Sequence, residues 1–140
     1  MKKAVYSDYV ESAEFIRKKI TEAGMKMPRI AIILGSGLGD YANRLERPVV
    51  IPYRDIPHFP VSTVSYQKGE LVCGLRGDVP VLAMNGRFHY YEGYEMWQTA
   101  YPVGVFKLLG IEKLIITNAA GGISPSYKPG DLVAIVDHIK

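Results

Sequence analysis

The feature of this sequence that most constrains its fold is a short apolar run, residues 30–34 (Ile-Ala-Ile-Ile-Leu), which ends at Gly35. The run is too short for a buried helix, and three of its five side chains are β-branched, which favours a strand. A strand that is apolar at every position is typical of the middle of a parallel or mixed sheet, where both faces are covered. The run therefore predicts a central strand of a layered fold.

Helices and strands are expected to alternate along the rest of the chain. Apolar spacing predicts helices over residues 7–24 and 96–109, and Pro102 is expected to kink the second helix or to delay its start. Further strands are expected at residues 49–51, 70–75, 80–84, 114–117 and 132–136. This alternation predicts an α/β fold with a mixed, largely parallel central sheet flanked by helices. Residues 1–140 are expected to form a single domain, with function in the loops at strand ends.

Composition and charge exclude several classes of protein. Hydrophobic residues make up 48% of the chain and charged residues 22%, which indicates a globular protein rather than a disordered one. The formal net charge of +3 is too small to argue for nucleic-acid binding. A single cysteine suits a reducing compartment, and no apolar run approaches the ~20 residues that span a bilayer. The chain is therefore expected to be cytoplasmic, with no nucleic-acid or membrane partner.

A glycine-rich loop, residues 35–39 (Gly-Ser-Gly-Leu-Gly), follows the first strand directly. Glycines let backbone N–H groups approach an anion, and Ser36 adds a hydroxyl donor. An ordinary strand-to-helix turn accounts for the same glycines equally well. A dinucleotide fingerprint needs Gly or Ala at its sixth position, where Asp40 stands, and a P-loop needs a Gly-Lys-Ser/Thr that is absent here. A dinucleotide-dependent oxidoreductase is therefore disfavoured, and an ordinary P-loop is excluded.

Residues 85–94 (Asn-Gly-Arg-Phe-His-Tyr-Tyr-Glu-Gly-Tyr) crowd hydrogen-bonding groups onto another strand end. Arg87 offers a fixed fork of donors that matches phosphate oxygens, and His89 can donate to the same anion. Glu92 can fix the tautomer of the imidazole, and the aromatic side chains can line a sugar or a base. The alternative is a solvated Arg–Glu pair beside packed tyrosines.

Residues 117–122 (Thr-Asn-Ala-Ala-Gly-Gly) form a third strand-end loop of small side chains. The backbone N–H of an alanine in this loop, Ala119 or Ala120, can bind an anion as well as a side chain does. A tight turn capped by Asn118 is the alternative for this loop taken alone. Three strand-end loops with anion-binding chemistry together favour one shared phosphate site.

These loops, with two further segments, stand in the order typical of a known family. The motifs are residues 35–39, 57–60 and 62–64 (Pro-His-Phe-Pro and Ser-Thr-Val), 86–94, 118–122, 130–132 (Gly-Asp-Leu) and 137–139 (Asp-His-Ile). The chain resembles the trimeric type of purine nucleoside phosphorylase from about Ile30 to its end. Methylthioadenosine phosphorylases fit less well, because they carry a different histidine-containing segment where residues 86–89 stand.

The resemblance implies phosphorolysis, in which inorganic phosphate attacks a purine nucleoside and gives free base and (deoxy)ribose 1-phosphate in purine salvage. It assigns phosphate binding to Ser36, Gln67, Arg87, His89 and the Ala119 amide, ribose or nucleoside binding to Tyr91 and Asn118, and catalysis to His89 supported by Glu92. It also implies a homotrimer and no cofactor other than phosphate as co-substrate. The three histidines lack ligand-like spacing, so no metal site is expected.

The sequence departs from the family pattern at two points. Gln67 stands where the family usually carries a phosphate-binding histidine, and an amide can donate a hydrogen bond but cannot carry charge. Lys140 directly follows an expected strand, and no position in residues 1–140 matches the family's base-recognising groups. We therefore expect the N-terminal portion of such an enzyme. The alternative is a catalytically incomplete fragment that binds phosphate.

Overall fold

Five strands and three α-helices make up the regular structure of residues 3–61 and 69–139, the part of the chain that the computed structural model describes. In chain order they are α1 (Tyr6–Glu22), β1 (Ile30–Ile33), α2 (Asp40–Asn43), β2 (Glu46–Pro52), β3 (Glu70–Arg76), β4 (Val79–Asn85), α3 (Met96–Leu109) and β5 (Lys113–Ile116). Two short 3₁₀ turns, Tyr53–Asp55 and Tyr90–Glu92, complete the set. The expected α/β class is confirmed.

The strands form one sheet in the order β2-β3-β4-β1-β5. β1 pairs in parallel with β4 on one side and with β5 on the other, whereas β3 pairs antiparallel with β2 and β4. Four strands therefore run in one direction and β3 runs against them, which confirms a mixed, largely parallel sheet. Because β4, β1 and β5 are parallel neighbours, their carboxyl ends meet at one edge of the sheet.

The two faces of the sheet are covered unequally: Ala31 and Ile33 of β1 are buried, whereas Ile30 and Ile32 are only half-buried, so β1 is less buried than its apolar run predicts. Helices α1 and α3 pack together on one face, where the rings of Tyr9 and Tyr101 stack with centroids 4.3 Å apart. Ile16 and Ile20 are fully buried there, and each such side chain contributes roughly 1.5–3 kcal/mol on burial. A smaller apolar cluster around Ala42 of α2 covers the other face. The sheet is thus a rigid support for the loops at its edge.

Helix α3 is continuous from Met96 to Leu109 with Pro102 inside it, so the delayed start suggested by Pro102 is wrong. Pro102 lacks the N–H that would bond to the carbonyl four residues earlier. Its ring is fully buried, as is the neighbouring Tyr101. This burial offsets the missing hydrogen bond.

The strand expected at residues 132–136 is also wrong. Residues 117–139 contain turns but neither helix nor strand, and Leu132 and Val136 are almost fully exposed. A strand forms only where a neighbouring strand takes up its N–H and C=O groups. Within the described residues, β1 is the neighbour of β5, and the segment after β5 pairs with nothing. The apolar run at residues 132–136 is therefore not sufficient for a strand.

Cys73 lies in the core, and we predict that it is unreactive in the native state. Its Sγ atom lies 3.4 Å from the Sδ atom of Met25, and burial raises the pKa of the thiol to about 12. The reactive thiolate is therefore scarce at pH 8. Iodoacetamide at that pH is expected to label Cys73 only after denaturant is added, as read by intact mass. Complete labelling of the folded protein within minutes would contradict this.

Among the residues described, no helix is both long enough and apolar enough to span a bilayer.

Candidate active site

Three loops meet where β4, β1 and β5 end. In the sheet register Ile33 of β1 lies beside Met84 of β4 and Ile116 of β5, so the loops that follow start at the same level. Between the loops that follow β1 and β4 is a cleft of about 300 Å³. It is lined by the glycine-rich loop and the start of the β4 loop: Leu34, Gly35, Ser36, Gly37, Gly39, Asn85, Gly86, Arg87 and His89.

The loops approach most closely at Gly35, which is buried. A Cβ atom there would lie 2.7 Å from the carbonyl oxygen of Thr117 and 2.8 Å from both Nη2 of Arg87 and Cα of Asn118. Real Cβ atoms essentially never lie so close to other atoms. Position 35 must therefore be glycine for the three loops to pack as they do.

Arg87 is half-buried and lies between the β1 and β5 loops. Its Nη2 atom donates a hydrogen bond to the carbonyl oxygen of Thr117. A guanidinium carries five N–H groups in a fixed fork, so donors remain for a ligand in the cleft. The arrangement places a permanent positive charge against the glycine-rich loop.

His89 and Glu92 form a close pair beside Arg87. The Nδ1 atom of His89 lies 2.6 Å from Oε1 of Glu92, and the same oxygen accepts a hydrogen bond of 3.1 Å from the backbone N–H of His89. The Glu92 side chain is 2% exposed, whereas that of His89 is 26% exposed and lines the cleft. With Nδ1 directed at the carboxylate, Nε2 is the nitrogen left for a ligand.

The remaining residues expected at the site lie around the cleft rather than in its lining. Tyr91 is exposed, and its ring stacks on His89 with centroids 4.7 Å apart. Asn118 and Ala119 are exposed, and Asn118 approaches the cleft through its Cα atom near Gly35. Gln67 lies outside the described residues. Among the residues described, no three His, Cys, Asp or Glu side chains cluster in a way that could hold a metal ion.

Tyr53 also supports the site, although sequence patterns did not single it out. It is 1% exposed, and its hydroxyl donates a hydrogen bond of 2.6 Å to the carbonyl oxygen of Gly86, next to Arg87. Burial raises the pKa of this phenol well above its usual value, and the negative charge of Glu70 adds to the effect. Tyr53 therefore stays protonated and remains a donor. The two partners lie 33 residues apart, so no local signal marks the contact.

Tyr53→Phe is expected to lower the free energy of unfolding by about 1 kcal/mol, because the Gly86 carbonyl loses its buried donor. Urea denaturation of the variant measures this. Tyr6→Phe is the matched control, since the Tyr6 side chain is exposed. Equal stability of Tyr53→Phe and the unchanged protein would show that the hydroxyl does not hold the β4 loop.

A family model described as "Phosphorylase superfamily" matches residues 29–140, which include β1, the three loops and all the elements between them. The chain belongs to the phosphorylase superfamily. The match brings Ser36, Arg87, His89 and Glu92 inside the shared region.

Relatives within the superfamily carry a consistent name. The chain is 52% identical over 128 residues to purine nucleoside phosphorylase 1 of Bacillus subtilis (strain 168), covering 91% of this chain and 46% of that protein. It is 43% identical over 134 residues to the purine nucleoside phosphorylase of Bos taurus, covering 96% of this chain and 45% of that protein. The chain thus spans under half the length of these relatives.

Solved structures agree with the sequence relatives. Isoform 2 of the purine nucleoside phosphorylase from Schistosoma mansoni, in complex with cytosine and ribose-1-phosphate, is 44% identical with a TM-score of 0.81. The match covers 90% of this chain and 43% of that one. Another purine nucleoside phosphorylase, in complex with ribose-1-phosphate, gives a TM-score of 0.82 at 40% identity over 94% of this chain and 47% of that one.

Proposed function

We propose that the gene product is a purine nucleoside phosphorylase and that the described residues supply its phosphate site. The observation that carries the proposal is the cleft itself, in which Arg87 and His89 face the glycine-rich loop of β1. A tetrahedral oxyanion suits this arrangement. Arg87 and His89 offer side-chain donors, and the glycine-rich loop offers a run of backbone N–H groups. Relatives that carry this name, one of them bound to ribose-1-phosphate, support the same assignment.

The proposed reaction is attack by a phosphate oxygen on the anomeric carbon of a purine nucleoside. A new C–O bond forms as the bond to the purine breaks, and the base leaves with that electron pair. The sugar passes through an oxocarbenium-like state, so a phosphate anion beneath it is both nucleophile and counter-charge. No redox step occurs, so the proposal includes no cofactor and no metal.

Individual residues take the following roles in this proposal. Phosphate is bound by Ser36, Gln67, Arg87, His89 and the Ala119 amide, and the nucleoside by Tyr91 and Asn118. Glu92 holds Nδ1 of His89, which leaves Nε2 to face phosphate. Because the Glu92 carboxylate occupies Nδ1, His89 is proposed to contact phosphate through Nε2.

The remaining features follow from the family reading. We infer a role in purine salvage, a homotrimeric assembly and a cytoplasmic location, which the single buried cysteine fits. The substrates are a purine nucleoside and inorganic phosphate.

A second candidate is a phosphate-binding fragment without turnover. The observation in its favour is length, because the chain covers 46% of the Bacillus subtilis relative and 45% of the bovine one. Such a chain would keep the cleft between β1 and β4 and is expected to bind phosphate there.

One assay distinguishes these readings. Inosine is incubated with the full-length gene product, with or without inorganic phosphate, and hypoxanthine release is followed by chromatography. Phosphate-dependent release without added nicotinamide is expected, and its absence would overturn the enzyme proposal. The 140-residue chain is assayed in parallel with a calorimetric phosphate titration, and binding without turnover by that chain would support the second candidate for it.

A further inference from the structure

Thr117, the residue directly after β5, touches all three loops of the site. Its hydroxyl donates a hydrogen bond of 2.9 Å to the carbonyl oxygen of Ile33 and accepts one of 2.8 Å from the backbone N–H of Gly35. Its own N–H donates to the same Ile33 carbonyl at 3.0 Å. Its carbonyl oxygen accepts the bond from Nη2 of Arg87. One residue therefore joins the ends of β1 and β5 and holds the guanidinium of the β4 loop.

The Thr117 hydroxyl continues the sheet beyond its last ladder bond. The parallel pairing of β1 and β5 ends at Ile33 and Ile116, and the N–H of the buried Gly35 then needs another acceptor. The hydroxyl supplies one, and it uses its proton on the Ile33 carbonyl. A hydroxyl that donates to one chain group and accepts from another has a fixed rotamer, so residue 117 is held at both backbone and side chain.

The carbonyl of Thr117 in turn restrains Arg87. The guanidinium is planar, and a bond at Nη2 limits how the plane can turn about the end of the side chain. The same group lies 2.8 Å from where a Cβ of Gly35 would stand, so it packs closely against the β1 loop. Its remaining donors are thereby left for the cleft that Arg87 lines.

We propose that Thr117 is a positioning residue for anion binding, in which the hydroxyl fixes the carbonyl that orients Arg87. The proposal rests on the proposed function, since the anion is taken to be phosphate. Thr117 does not line the cleft and does not itself bind the ligand.

The variants separate the hydroxyl from the shape of the side chain. Thr117→Val keeps the β-branched shape and removes the hydroxyl, whereas Thr117→Ser keeps the hydroxyl. Thr99→Val is the matched control, because the Thr99 hydroxyl donates to the backbone carbonyl of Met96 in α3, away from the cleft. Calorimetric titration of the full-length gene product with inorganic phosphate measures affinity, and thermal unfolding measures stability.

Thr117→Val is expected to raise the Kd for phosphate about tenfold, the factor that corresponds to loss of roughly one hydrogen bond. The Kd for phosphate of Thr117→Ser and of Thr99→Val is expected to stay within about twofold of that of the unchanged protein. For turnover of inosine, Thr117→Val is expected to raise the KM for phosphate while kcat at saturating phosphate changes less. Unchanged phosphate affinity in Thr117→Val would overturn the proposal.

A double-mutant cycle tests whether Thr117 acts through Arg87. If it does, adding Thr117→Val to an Arg87→Ala background changes the Kd by less than about twofold, because the group that Thr117 orients is already lost. The same tenfold loss in both backgrounds would mean that Thr117 acts independently and would overturn the proposal. If Thr117 had only a structural role, Thr117→Val would lower the melting temperature by the same amount in both backgrounds, and its effect on phosphate affinity would not depend on Arg87.

The proposed function and this inference fail in different ways. Absence of phosphate binding by the unchanged protein contradicts the proposed function. The placement of Arg87 is then read from a crystal structure of Thr117→Val, where loss of the contact between Nη2 and the carbonyl of residue 117 is expected. Retention of that contact in the variant would overturn the inference.

Discussion

Replacing Gly35 with alanine is expected to weaken phosphate binding by roughly ten- to a hundredfold, the range that corresponds to losing one charge-assisted hydrogen bond. The new Cβ atom would meet Nη2 of Arg87 at 2.8 Å and the Thr117 carbonyl oxygen at 2.7 Å. The third close neighbour, Cα of Asn118 at 2.8 Å, is backbone like the Thr117 carbonyl, so the start of the β5 loop must shift together with the guanidinium that it holds. Overpacking of this kind also costs about 1–3 kcal/mol of stability. Phosphate titration and urea denaturation of the variant measure the two effects.

Gly74→Ala separates the two effects of the Gly35 change. A Cβ at Gly74, in β3, would lie 2.7 Å from Cβ of Leu45 and 3.0 Å from the Glu46 carbonyl oxygen, so the clash is equally close. Gly74 does not line the cleft. This variant is expected to lose stability and to keep its phosphate affinity. Equal loss of affinity in both variants would mean that the effect of Gly35→Ala is general destabilisation.

Local features of the sequence were sufficient to predict most of the sheet. β1 was predictable because its apolar residues are consecutive and Gly35 ends them, and β4 because it precedes a polar turn in the same way. The uninterrupted apolar run of β1 also predicted its place in the middle of a parallel or mixed sheet. By contrast, residues 132–136 form an apolar run typical of a strand but have no neighbouring strand in the described chain. Pairing depends on a distant segment, and a local pattern cannot supply it.

The convergence of the three loops was also predictable from the sequence. Loops that follow parallel neighbouring strands must lie at one edge of the sheet, and the sequence places Ser36, Arg87 and Asn118 in such loops. How deeply each of these side chains is buried was not predictable. Arg87 is half-buried in the cleft, whereas Asn118 is exposed beside it.

The contacts that support the site could not be read from the sequence. The hydroxyl of Thr117 bonds to Ile33 across 84 residues, and that of Tyr53 bonds to Gly86 across 33. A threonine at a strand end and a tyrosine after a strand are common, and neither residue type indicates a partner. Such roles depend on strand order and side-chain direction, which only the folded chain defines. The one supporting pair within reach of sequence reasoning was His89 and Glu92, three residues apart.

Arg87→Ala is expected to raise the phosphate KM of the full-length gene product by about ten- to a hundredfold, because a charge-assisted bond contributes roughly 1.5–3 kcal/mol. The change removes the permanent charge from the cleft and also leaves the Thr117 carbonyl without its donor. The phosphate KM of Arg87→Lys is expected to lie between those of Arg87→Ala and the unchanged protein. Lysine keeps the charge but loses the planar fork, so it can bond to the carbonyl or to the anion but cannot hold both in one plane.

Arg54→Ala is the control for a general effect of charge. The Arg54 side chain is 79% exposed and lies beside Asp55, outside the cleft lining. Removing it lowers the net charge by the same amount as Arg87→Ala does, but it is expected to leave the phosphate KM within about twofold, since exposed charges are screened by salt. Steady-state inosine phosphorolysis at several phosphate concentrations gives all four KM values. A KM for Arg87→Lys equal to that of the unchanged protein would mean that the fork geometry is irrelevant, and an unchanged KM in both Arg87 variants would remove Arg87 from the phosphate site.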